Sequence, residues 1–105
     1  MPPNASSTNR LLKDEINDYQ ESFVAYLESG ETIDSFTIVA DPGLQLISSA
    51  NNDPIIDYRV KGRDNSTQGI WQQVKITVTT SLGRVEIRLI NFEVTDSNTV
   101  GSEVT

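Results

Sequence analysis

Between Val74 and Val94 the chain alternates apolar and polar residues on both sides of a three-residue turn. Val74, Ile76 and Val78 are separated by Lys75 and Thr77; beyond Ser81-Leu82-Gly83, Val85, Ile87 and Leu89 are separated by Glu86 and Arg88. A period of two marks a strand with one face against a core. A short turn that closes on glycine, which accepts positive φ, joins two such strands into an antiparallel hairpin. Two long, half-buried strands are not stable alone and need a second layer to cover them. The fold class that follows is all-β, with a second sheet packed over this hairpin.

The same alternation recurs upstream. Ile16 to Phe23 reads as a strand, and the spacing of Phe23, Tyr26 and Leu27 suits a single helical turn after it. Ser29-Gly30-Glu31 breaks the chain before a strand from Ile33 to Ala40, with Phe36 and Ile38 on its inner face. Asp41-Pro42-Gly43 has the composition of a type II turn, with Gly43 at positive φ. Leu44, Leu46 and Ser48 give a short strand, residues 50–54 a loop, and Ile56, Tyr58 and Val60 a further strand. Gly62 to Gly69 is a polar loop leading into a strand from Ile70 to Thr80. In the last strand Val85, Ile87 and Leu89 share one parity while Ile90, Phe92 and Val94 share the other, which predicts a β-bulge between Leu89 and Asn91. Six to seven short strands at this spacing predict an Ig-like antiparallel β-sandwich. The cysteine pair of antibody domains is missing, and Trp71 lies late in the chain.

With 105 residues there is room for one domain. The apolar residues are concentrated between Tyr19 and Val94, so the expected organisation is a flexible N-terminal arm over 1–17, a sandwich over 18–95 and a flexible C-terminal tail over 96–105. No apolar run reaches the ~18 residues of a membrane span, and the N-terminus lacks the basic-then-apolar layout of a signal peptide. The expectation is therefore a protein made in the cytoplasm, with no membrane partner.

The formal net charge is −7, unevenly spread. From Asp14 to Asp57 there are ten acidic residues and no Lys or Arg, whereas Arg59 to Val94 holds six basic residues against three acidic ones. That sign argues against nucleic acid as a partner. Two readings remain for the asymmetry. Either it presents an acidic face to a basic partner, or the strands interleave so that residues such as Glu21 or Asp57 meet Arg84 or Arg88 and the imbalance cancels in space.

The chain has no cysteine and no histidine, which removes disulfides, zinc fingers and thiol or imidazole catalysis. No carboxylate pair is marked as a cleft pair, so no enzymatic activity and no cofactor are expected. Asp64-Asn65-Ser66-Thr67 offers oxygen ligands without the alternate-acid rhythm of a calcium loop, so no metal is expected either. Trp71 and Tyr58 are candidates for a sugar-stacking platform, against the plainer reading that both cover the sandwich.

Four short strings, in order, carry a family resemblance. Thr79-Thr80-Ser81-Leu82-Gly83-Arg84 resembles the hairpin of the small Ig-like phage proteins called fiber–tail adaptors. Asp18-Tyr19 with Phe23, Tyr26 and Leu27 is similar to the family's opening, although Phe23 and Tyr26 stand where tryptophans are usual. Gly30-Glu31-Thr32-Ile33 and Pro42-Gly43-Leu44 resemble its next two landmarks. The resemblance spans Asp18 to Asp96 and implies a non-enzymatic component of a phage virion tail. Such a protein would be present in several symmetric copies and would join tail or connector ring proteins to fibers. Its contacts would lie in the arms and the long loop, with Arg10, Leu11, Leu12, Arg63, Asp64 and Trp71 as the candidate partner-binding residues. Two other roles fit a sandwich of this kind: a carbohydrate- or cell-surface-binding module using Trp71 and Tyr58, and a capsid decoration protein.

Overall fold

A computed structural model of the chain describes residues 9–63 and 71–95. Its strands are β1 (Asn9–Leu12), β2 (Ile16–Ser22), β3 (Ile33–Ala40), β4 (Leu44–Asn52), β5 (Ile55–Gly62), β6 (Trp71–Thr80) and β7 (Val85–Thr95). They form a four-stranded sheet in the order β1-β7-β6-β3 and a three-stranded sheet in the order β2-β5-β4. The orders β2-β5-β4 and β3-β6-β7 are those of the B-E-D and C-F-G strands of an immunoglobulin-type sandwich. β1 joins the larger sheet parallel to β7, and among the described residues the other strand-to-strand pairings are antiparallel, with one isolated parallel bridge between Lys13 and Gly62.

The core is what the alternation demands. Val74, Ile76 and Val78 of β6 face Ile56, Tyr58 and Val60 of β5 across the gap between the sheets, closed by Phe23, Ile33, Leu44, Ile90, Phe92 and Val94. Each such side chain contributes roughly 1.5–3 kcal/mol by leaving water. Phe36, Ile38 and Ala40 of β3 are half-buried against this cluster, as the period-two reading requires. The single helical turn after β2 is present: the Phe23 carbonyl accepts from both Tyr26 and Leu27 N–H, each at 3.0 Å.

Five expectations are corrected. The polar N-terminus is not an arm as far as Asn17: Asn9–Leu12 is strand β1, and β2 begins at Ile16. Leu11, placed among the candidate partner contacts, is 1% exposed and belongs to the core. The loop expected at residues 50–54 is mostly strand, since β4 runs through Asn52 to a tight turn at Asp53-Pro54.

Gly43 does not take positive φ; only Gly30 and Gly83 do so among the described glycines. The turn closes with Leu44 N–H on the Asp41 carbonyl at 2.9 Å. Gly43 is needed for space instead, because a Cβ there would lie 2.4 Å from Cδ of the buried Gln72 side chain, whose Oε1 accepts the Gly43 N–H at 2.9 Å.

The fifth correction concerns β7. Its register with β6 runs unbroken from Val85 to Glu93, so no bulge separates Leu89 from Asn91. The irregularities lie elsewhere, at Ile33/Ser35 and Leu46/Ser48. Because β7 is regular, Glu86 and Arg88 share the inner face with Ile90, Phe92 and Val94, and Val85, Ile87 and Leu89 point outward.

Candidate partner interface

Two of the strings singled out in the sequence meet at one end of the sandwich. In the β6–β7 turn Gly83 has φ +77°, and its N–H donates to the Thr80 carbonyl at 2.9 Å. Thr80 Oγ1 accepts from Leu82 and Arg84 N–H, which fixes the turn from inside. Ser81 and Thr32 exchange two bonds, Ser81 N–H to the Thr32 carbonyl at 2.9 Å and Thr32 N–H to Ser81 Oγ at 3.0 Å. Arg84 donates Nε and Nη2 to the two carboxylate oxygens of Glu31 at 2.9 and 2.5 Å, with its guanidinium 4.4 Å from the Tyr26 ring centre. Thr79–Arg84 and Gly30–Ile33 are therefore two halves of one clasp. The Arg84 guanidinium beside Glu31 holds its carboxyl down to about 2, with bonds from Glu28 N–H and Thr80 adding to that, against an opposing push from burial.

Beside the clasp lies a second inward arginine. Arg88 donates to Glu21 at 2.7 Å and to Glu86 at 3.0 Å, and sits 4.4 Å from the Phe23 ring centre. Arg59 binds Asp18 through two bonds at 2.7 and 3.1 Å, lowering the Asp18 pKa chiefly through that hydrogen bond. The acidic first half and the basic second half thus meet strand against strand. Of the two readings of the charge asymmetry, spatial cancellation accounts for Glu21, Glu31 and Asp18.

The candidate contact residues are divided among different places. Arg10 is exposed on β1 and pairs with Glu93 at 3.3 Å. Across the sheet Arg10 is level with Glu93 and Glu93 with Trp71, so the three stand in one row over β1, β7 and β6. Trp71 is 62% exposed. Leu12, half-buried, follows Arg10 on β1, and Leu11 is in the core. Arg63 is exposed at the end of β5, where its N–H donates to the Gly43 carbonyl. Asp64, the rest of the Gly62–Gly69 loop and residues 96–105 lie outside the described residues.

Trp71 and Tyr58 do not form a platform. Trp71 is on the outer face of the larger sheet, whereas Tyr58 is 3% exposed and packs against Tyr19 at 5.8 Å between ring centres. Burial pushes the Tyr58 hydroxyl pKa up.

Sequence reasoning missed the outer face of β7. Val85, Ile87 and Leu89 are 57%, 52% and 50% exposed, and Val39 and Leu82 are also exposed. The signal was the apolar character of both parities in β7, which marks a strand with two usable faces as well as it marks a bulge. On the smaller sheet a shallow groove of about 860 Å³ is lined in part by Asp18, Tyr19, Asp57 and Arg59. Asp18 and Arg59 satisfy each other there, and Asp57 accepts from the Asn52 amide. Among the described residues no three His, Cys, Asp or Glu side chains are grouped to hold a metal.

A search of the curated proteins found no match. A family model described as "Podophage GP4 fiber-tail adaptor protein gp77" matches residues 13–93, most of the chain.

Proposed function

The chain belongs to the podophage fiber-tail adaptor family, and from that membership we propose that it is a non-enzymatic adaptor joining a tail or connector protein to a fiber. Membership supports a structural role in the virion tail. The finer reading, that this molecule bridges two specific proteins in several symmetric copies, rests on its surface.

The observation that carries it is the row Arg10–Glu93–Trp71. A tryptophan left 62% exposed on a regular strand, with an arginine two strands away, is the pairing enriched at energetic centres of protein interfaces. The sandwich behind the row is cross-linked by Arg84–Glu31 and Arg88–Glu21, which gives a binding surface a rigid support.

The test is direct binding between the purified chain and the separately purified tail, connector and fiber proteins of the same particle, by biolayer interferometry. Binding to at least one of them, weakened tenfold or more by Trp71→Ala with the fold intact, is the expected result. Wild-type protein that binds none of them would overturn the proposal.

A further inference from the structure

Among the described residues, part of one side of β7 is left unpaired by its own sheet. The Thr80 N–H donates to the Arg84 carbonyl, so the even-numbered residues of β7 bond to β6 along the unbroken register. The odd-numbered residues face the other way, and at the far end that side is taken by β1, where the Thr95 carbonyl accepts the Lys13 N–H at 2.8 Å. β1 pairs only with Phe92 to Thr95. Among the described residues no strand lies beside Val85 to Asn91. The residues whose backbone groups point into that gap, Val85, Ile87 and Leu89, are the ones with exposed apolar side chains.

We propose that this edge pairs with the same edge of a second copy, antiparallel about a two-fold axis through Ile87. In that register Ile87 opposes Ile87, and Val85 opposes Leu89 on both sides of the axis. All three pairs have the parity that exchanges two backbone hydrogen bonds each. On the inner face Glu86 of one copy comes level with Arg88 of the other, twice by symmetry, beside the bonds Arg88 already makes to Glu86 and Glu21 of its own chain, so opposite charges meet and no like charges do. A shift of two residues to either side would lose that match. The outer face beside the edge carries Lys75 as well as Val39, and Glu93 on that face is already paired with Arg10, so an otherwise acidic molecule can approach itself here. Such a contact is isologous and closes on itself, joining two four-stranded sheets into one. It is also small against the area a permanent dimer needs, which makes it a reversible association that several copies held together in a particle would promote. The pairing rests on strand geometry and not on the adaptor reading.

Sedimentation equilibrium on the full chain should show a mass rising from 11.6 kDa toward twice that as concentration increases. Ile87→Lys, at a half-exposed site, should keep the β circular dichroism and weaken self-association by roughly a hundredfold or more, since each lysine then faces its own copy. As the sequence has no cysteine, Ile87→Cys supplies a single thiol. A short bismaleimide should link it into a dimer far faster than it links Val39→Cys on the distant strand β3. A mass of 11.6 kDa at every concentration overturns the proposal. So does a dimer unaffected by Ile87→Lys, or a wild-type monomer that dimerises only once residues 1–8 are deleted, which would assign the edge to the chain's own N-terminus.

Discussion

Gly62 ends β5 in a conformation with no positive φ, so alanine is permitted there as far as the backbone is concerned. Space forbids it. A Cβ on Gly62 would lie 2.3 Å from the Leu12 carbonyl oxygen and 3.0 Å from its carbon. Ordinary contact needs about 1 Å more, and the obstacle is backbone, which cannot rotate away as a side chain can. Leu12 must therefore move, and with it the link between β1 and β2. That link is tied to Gly62 by Asp14 N–H on its carbonyl at 2.7 Å and by its own N–H on the Glu15 carbonyl at 3.0 Å. Overpacking costs about 1–3 kcal/mol, and two weakened backbone bonds cost roughly 0.5–1.5 kcal/mol each. Alanine returns about 0.4–1 kcal/mol by restricting the unfolded chain. The net for Gly62→Ala is roughly 2–4 kcal/mol, out of a total near 5–15 kcal/mol for a chain of this size.

A melt followed by circular dichroism should show Tm falling by roughly 8–30 °C. Hydrogen exchange should show β1 losing protection before β6 and β7. Gly30→Ala is the contrast, because nothing lies within 4 Å of its Cβ but its φ is +80°; its cost is strain alone, about 1–2 kcal/mol. If Gly62→Ala melts within a few degrees of wild type, or above it, then β1 does not cross Gly62 as closely as described and the reasoning fails.

Phe23→Ala removes a side chain with no exposure and the ring beneath Arg88, so chemical denaturation should show a loss of about 3–5 kcal/mol; a loss under half that would mean the site collapses around the gap. Glu31 has its pKa lowered from 4.5 to about 2, so its ion pair contributes fully above pH 4.5 and loses that contribution as pH falls through 2. Glu31→Gln should therefore be less stable than wild type at neutral pH, with a gap that narrows on acidification; parallel stability curves for the two proteins would contradict this. Asp18→Asn breaks a pair whose partners are 70% and 49% exposed, and its melting curve should be indistinguishable from wild type.

The fold was legible because most strands bury one face, and a period of two survives in sequence without knowledge of the partner. β6 shows this best, with Val74, Ile76 and Val78 inward as its alternation requires. What stayed hidden depended on residues far along the chain. The alternation of β7 put Glu86 and Arg88 on the solvent side, and only the charge asymmetry, with Glu21 67 residues before Arg88, pointed to the inner-face pair that forms. Asn9–Leu12 follows a polar run, is too short to show an alternation, and becomes a strand because β7 offers it an edge and the core takes Leu11. Gly43 was understood as a conformational requirement, but the requirement is room for Gln72. The clasp was visible as two strings resembling one family, though not as two halves that touch. Of the candidate contacts, Arg10 and Trp71 share a row that no sequence spacing encodes, since the strand pairing alone brings residues 10, 93 and 71 level.

β1 and β7 run parallel, side by side, and are the first and last of the described strands, beginning at Asn9 and ending at Thr95. Tension applied through the two ends pulls these strands in opposite directions along their length. The load arrives as shear, so the rungs between Asn9–Leu12 and Phe92–Thr95 must yield together and cannot open one after another like a zip. If the chain bridges fiber and tail as proposed, β1 is the strand that would lock it against such a load.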